Sequence, residues 1–213
     1  MTLTKRSSKG SALSYDEMDG NFTHLGGTGT YHNNGIRVGP PGTVLEMLTG
    51  HADGRTLVGH SGSYTLSNVT AAQALTTTHT SIGLDIDYIP PTGTKTVLYE
   101  AQFQIRYIDN DPILHFKATW DGNDLEPSRS TFRVSGAGTH QLIYNLSVAI
   151  EVNASSVDIP KARIGPWTTA KTLSWTAREY SGSFEGRLHE TNHWDGTGTN
   201  QFVCPMLKVT AIA

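Results

Sequence analysis

Charge is scarce in this sequence: 16% of its 213 residues are Asp, Glu, Lys or Arg, against about 25% in ordinary globular chains. The 16 basic and 19 acidic side chains leave a net charge of −3, and no run of Lys or Arg exceeds Lys5-Arg6. That excludes the electrostatic footprint expected of a protein that binds nucleic acid or lies on an anionic membrane. Long apolar runs are missing too, and nothing approaches the roughly 18 residues of a spanning helix, so no membrane insertion is expected. The start, MTLTKRSSKG, is basic but leads into polar sequence rather than a hydrophobic region, so no secretory signal is expected. Cysteine occurs once, at Cys204, which excludes an internal disulfide; its apolar neighbours make it read as a small buried hydrophobe. Synthesis in a reducing cytoplasm follows.

What replaces charge is 28 Thr, 17 Ser and 22 Gly, a composition that favours strands and turns over helices. The length suits one domain of about 150 to 200 residues with a small appendage. Composition divides the chain into residues 1–30, residues 31–63 and residues 64–213. In the first part Ser14-Tyr15-Asp16-Glu17 is a capping box. Tyr15, Met18, Phe22 and Leu25 follow at spacings of 3, 4 and 3, which places them on one side of a short α-helix ended by Gly26-Gly27. A helix of about eleven residues is marginal alone in water, so this stripe must dock, on a partner or on its own domain. The second part, with Pro40-Pro41-Gly42, Asp53-Gly54 and a short apolar run from Val44 to Leu48, reads as a Gly/Pro-rich connector or a collar.

From Tyr64 the period becomes 2. Ile82, Leu84, Ile86 and Tyr88 alternate with Gly83, Asp85 and Asp87 until Pro90-Pro91. Val97, Tyr99, Ala101, Phe103, Ile105 and Tyr107 make one face of a long strand, with Glu100, Gln102, Gln104 and Arg106 on the other. Asp109-Asn110-Asp111-Pro112 then leads to a strand from Ile113 to Trp120, which predicts a hairpin. The pattern repeats through Leu142 to Val152, Leu173 to Ala177 and Phe202 to Ile212. The expected fold is all-β, an antiparallel jelly-roll sandwich carrying the N-terminal helix and the connector. The polar faces bear Gln102, Gln104, Gln141 and many Thr rather than Lys and Glu. Such faces suit a partly buried subunit interface, and suit a glycan-binding surface almost equally.

His189-Glu190-Thr191-Asn192-His193 is a literal HExxH, the zinc-protease string in which two His one helical turn apart bind the metal and Glu activates water. The metal candidates are therefore His189 and His193. Their context opposes a helix, because Ser181-Gly182-Ser183 and Gly186 precede the string and Trp194-Asp195-Gly196 follows as a turn. Phe184, Gly186 and Leu188 alternate with Glu185, Arg187 and His189, so strand followed by turn is the expectation, and no catalytic residue or cofactor is assigned. The remaining His show no ligand spacing. Asp85 and Asp87 share one strand face, which suits either a calcium or glycan site or a solvated edge. Trp120 and Trp194 each precede an Asp-Gly turn, so with Asp195 they are candidates for stacking on and bonding to a glycan; anchoring the core is the other use of Trp.

Lys9-Gly10-Ser11-Ala12-Leu13-Ser14 with Glu17, Asp19, Asn21-Phe22 and Leu25 resembles the KGSxLTxxExDxNFxxL signature that opens many bacteriophage tail-fibre and related virion proteins. Val44-Leu45-Glu46-Met47, Tyr88-Ile89-Pro90-Pro91-Thr92-Gly93-Thr94, His115-Phe116-Lys117 and Leu188-His189 to Trp194-Asp195-Gly196 are similar to structural proteins of marine and cyanobacterial phages and of some large algal viruses. The resemblance implies a virion protein made in the host cytoplasm, a homotrimer fixed to capsid or tail proteins by its N-terminal helix, with the jelly roll displayed and able to contact host surface glycans. The chain is far shorter than a full tail fibre, which suits a capsid-decorating or head-fibre protein. Three functions are thus carried forward: a non-enzymatic virion subunit, a carbohydrate-recognition module using Trp120, Trp194 and Asp195, and a zinc hydrolase using His189, Glu190 and His193.

Overall fold

The computed structural model describes residues 41–108, 112–133, 139–183, 185–193 and 200–213, with two further two-residue strands. These two are β1 (Thr30–Tyr31) and β2 (Arg37–Val38), which pair with each other. The chain continues through β3 (Val44–His51), β4 (Thr56–Val58), β5 (Ser63–Thr65), β6 (Gln73–Ala74), β7 (Thr80–Ser81), β8 (Ile86–Tyr88) and β9 (Thr96–Ile108). It then forms β10 (Ile113–Trp120), β11 (Asn123–Arg133), β12 (Thr139–Glu151), β13 (Lys171–Glu179), β14 (Glu185–Leu188), β15 (Glu190–Asn192), β16 (Asn200–Phe202) and β17 (Met206–Ile212). One 3-10 turn, Ile159–Lys161, is the sole helical element among the described residues. No helix among them is long and apolar enough to cross a membrane. The expected helix at Tyr15, Met18, Phe22 and Leu25 lies outside the described residues.

Two antiparallel sheets make the sandwich. The large sheet runs β3-β17-β9-β12, and the small sheet β8-β13-β10-β11. Counted one to eight along the chain, these strands fall in the orders 1-8-3-6 and 2-7-4-5, the double Greek-key order of a jelly roll. Each sheet has a long strand flanked on one side by two shorter ones end to end. β9 is bordered by β17 and then β14, and β13 by β8 and then β7. The join beside β9 is closed by the His189 amide, which donates to the Gln104 carbonyl at 2.8 Å.

The alternation explains the core. Val97, Tyr99, Ala101, Phe103, Ile105 and Tyr107 of β9 are all buried, facing Leu114, Phe116 and Ala118 of β10 and Leu173, Trp175 and Ala177 of β13. Tyr99 stacks on Trp175 with ring centroids 5.6 Å apart, and Phe103 meets Phe116 at the same 5.6 Å. Two of the buried polar ends are partnered, the Tyr99 hydroxyl donating to the Leu84 carbonyl and Trp167 Nε1 to the Tyr88 carbonyl at 3.1 Å, whereas Trp175 Nε1 has no hydrogen-bond partner among the described residues.

Two expectations are corrected. β9 and β10 do not form a hairpin, because the chain crosses from one sheet to the other between them and each strand pairs elsewhere. Part of the segment 31–63 is not a connector: β3 is a strand of the large sheet, with Leu48 buried, and β4 pairs with β5. The apolar alternation of β3 is broken by Glu46 and Gly50, both of which point inward. Glu46 tolerates burial because its carboxylate accepts from the Ser61 amide at 2.8 Å, the Ser61 hydroxyl at 2.6 Å and the Tyr88 hydroxyl at 2.9 Å.

Candidate functional site

The central outward-facing side chains of the large sheet form three rows fixed by register, flanked by a row that sets Glu151 and Val44 on one side and by Ile143 with Gln104, then Arg106 with Arg187, on the other. Ala149, Leu98, Thr210 and Met47 make the first, Ser147, Glu100, Lys208 and Thr49 the second, and Asn145, Gln102, Met206 and His51 the third. Glu100 and Lys208 are the only carboxylate and ammonium in these three central rows, and they pair at 2.8 Å. Gln102 donates to Asn145 at 2.9 Å, so the amides also satisfy each other. A shallow groove of about 320 Å³ runs between β9, β12 and β17.

Large apolar side chains stand out on this face: Met47 is 59% exposed, Val44 55% and Ile143 58%. A sheet face left in water ordinarily carries scattered charge, whereas neutral paired polar groups around exposed aliphatics are the composition of a surface that becomes covered. Gln102 and Gln141 lie on it, exposed, and Gln104 is half-buried. The aliphatic members were not singled out from sequence, although Ile143 shares the strand parity of Gln141 and Asn145.

The other candidates are dispersed. Trp194 and Asp195 lie outside the described residues. Trp120 is half-buried at the end of β10, packed edge-on to Trp167 at 5.8 Å with the Lys171 ammonium 5.7 Å over its ring. The HExxH segment is strand and turn. β14 ends at Leu188, His189 takes a left-handed backbone (φ 61°), and β15 begins at Glu190. Gly186 suits close strand packing, since a Cβ there would sit 2.6 Å from Leu114 Cδ2. His189 is fully buried with Nε2 2.9 Å from the Ile82 carbonyl oxygen, and burial pushes its pKa down to about 4. Glu190 is ion-paired with Arg106, and His193 is exposed. Among the described residues no group of three or more His, Cys, Asp and Glu is placed to hold a metal. Asp85 and Asp87 are each engaged by a hydroxyl, Ser81 at 2.6 Å and Thr172 at 2.5 Å.

No family model matches the sequence, and no curated protein matches it. Among solved structures, the Eiger TNF from S. frugiperda is similar over 81% of this chain and 89% of its own, with 14% identity and a TM-score of 0.26. A likeness at that level carries nothing about function, and the jelly-roll assignment stands on the strand order.

Proposed function

We propose that this protein is a non-enzymatic structural subunit of a virus particle, a homotrimer whose jelly rolls meet through the outer face of the large sheet. The observation that carries the assembly is the neutral, aliphatic-rich surface around Met47, Val44, Leu98 and Ile143. Taking each such side chain out of water contributes about 1.5 to 3 kcal/mol, whereas the paired Glu100 and Lys208 need no new partner from a neighbour. Residues 1–30 attach the subunit to capsid or tail proteins; support for this comes from the resemblance of Lys9 to Leu25 to the virion signature and from the stripe of Tyr15, Met18, Phe22 and Leu25.

Sedimentation equilibrium of the purified protein tests the assembly. The expected mass is three times the 23.1 kDa of one chain, and a clean monomer at micromolar concentration overturns the proposal. Removing residues 1–25 is expected to leave the trimer intact while abolishing incorporation into particles, scored by immunoblotting of purified virions.

A further inference from the structure

The small sheet presents a different outer face. The alternation that turns Leu114, Phe116 and Ala118 into the core turns His115 and Lys117 outward, and along β13 it does the same for Thr176 and Arg178. Antiparallel register then places His115 between Thr131 of β11 and Arg178 of β13, and Lys117 opposite Thr176. With Arg129 of β11 and with His79, just before β7, His115, Lys117, Thr131 and Arg178 line an open trough of about 300 Å³. The trough holds one carboxylate, Asp124, already engaged by the Lys117 ammonium at 2.6 Å. Arg129 reaches Glu126 at 3.4 Å, and no acidic side chain of the lining remains for Arg178.

Two histidines line the same trough, and both are held below their ordinary pKa chiefly by burial. Burial and the neighbouring Lys117 and Arg178 push His79 down to about 4, with Asp124 opposing; burial and Arg178 lower His115. His115 Nδ1 lies 3.1 Å from the Thr131 hydroxyl, while its buried Nε2 has no hydrogen-bond partner among the described residues. Tyr180, 62% exposed, stands edge-on to the His115 ring at 6.3 Å.

We propose that this trough binds a sulfate or carboxylate group carried on a sugar, with Arg178 and Lys117 holding the oxyanion and Tyr180 packing against the ring. A guanidinium offers paired donors that match two oxygens of such a group, and an ammonium adds a point charge beside it. The Ser130 and Thr131 hydroxyls in the lining suit sugar hydroxyls, and an exposed aromatic offers an apolar face to the sugar's C–H groups. A nucleic-acid strand is disfavoured, because its binding uses a longer track of cations and several stacking rings. The trough is on the sheet opposite the proposed assembly face, so the inference stands whether or not the protein trimerises.

Isothermal titration of the full chain at low ionic strength tests it, with sulfated dextran and oligogalacturonate fragments as probes. Uncharged dextran, inorganic sulfate and single-stranded DNA serve as comparisons. At least one acidic saccharide is expected to bind, more weakly as salt is raised, and uncharged dextran is not. Arg178→Gln and Lys117→Gln are each expected to lower affinity on the order of tenfold. Arg178→Lys should recover part of the loss, and Lys208→Gln on the opposite sheet should change nothing. Melting temperatures of the variants verify that they are folded. Absence of binding by both acidic saccharides, or full binding by folded Arg178→Gln and Lys117→Gln, overturns the site. Equal or tighter binding of inorganic sulfate or DNA overturns its assignment to a sugar.

Discussion

The two outer faces of this sandwich arise from the same strand alternation yet carry opposite kinds of side chain. On the large sheet the three central rows hold a single carboxylate and a single ammonium, neutralised by each other, amid exposed Met47 and Ile143. On the small sheet Lys117, Arg129, Arg178 and two histidines converge on one trough with one carboxylate. A chain with a net charge of −3 therefore distributes its basic groups unevenly. Covering a face favours neutrality, because every unpaired charge taken out of water costs free energy. Displaying a face to a charged ligand favours an uncompensated field.

The strongest way to break the comparison is to put charge where it is missing. Met47→Lys combined with Ile143→Lys is expected to convert the proposed trimer to monomer in sedimentation equilibrium, whereas Ser174→Lys on the outer face of the small sheet is expected to leave it assembled. Next in size is the layer that both faces share. Phe103 packs on Phe116 and Tyr144, so Phe103→Ala should cost about 3 to 5 kcal/mol in urea unfolding, whatever the state of either face.

Acidity sharpens the contrast further. His189 has its folded pKa lowered from the ordinary 6.5 to about 4. The neutral ring is thus fully accommodated above pH 6.5, and stability falls as the pH drops toward 4, because the unfolded chain takes up the proton first. The loss should be on the order of 3 kcal/mol. It should flatten in His189→Gln when unfolding midpoints are compared across that range; His79 and His115, also lowered, add in the same direction. The smallest effect is expected at Glu100 and Lys208, which are partly exposed: Lys208→Gln should change monomer stability by less than about 1 kcal/mol in the same unfolding assay.

Much of this was legible before folding was considered. The period-2 pattern of β9 and β12 fixes which side chains reach the core, and Gly186 with the turn after Asn192 marks the HExxH string as extended rather than helical. What local pattern cannot supply is pairing between distant segments. His115, Thr131 and Arg178 belong to three strands, so no run of basic residues announces the trough, and a reading by runs alone finds no cationic surface. The same limit explains the expected hairpin between β9 and β10: neighbours in sequence are not always neighbours in a sheet, and a jelly roll separates these two. β3 escaped for a different reason. Its inward positions include Glu46 and Gly50, and burial of a carboxylate becomes intelligible only with Ser61 and Tyr88 in place.

The position of β17 bears on the order in which the molecule can be made. It is the last of the eight principal strands to be synthesised, yet it lies between β3, the first, and β9. While the chain emerges from the ribosome, β3 and one long flank of β9 have no permanent neighbour, and the surface later closed by β17 stays open. Completion of the large sheet thus waits for β17 and is governed by contacts between the most distant parts of the sandwich, which makes for slow closure. Any neutral face built on β3, β17 and β9 exists only once that closure has occurred, so the proposed association through it has to follow the folding of each subunit.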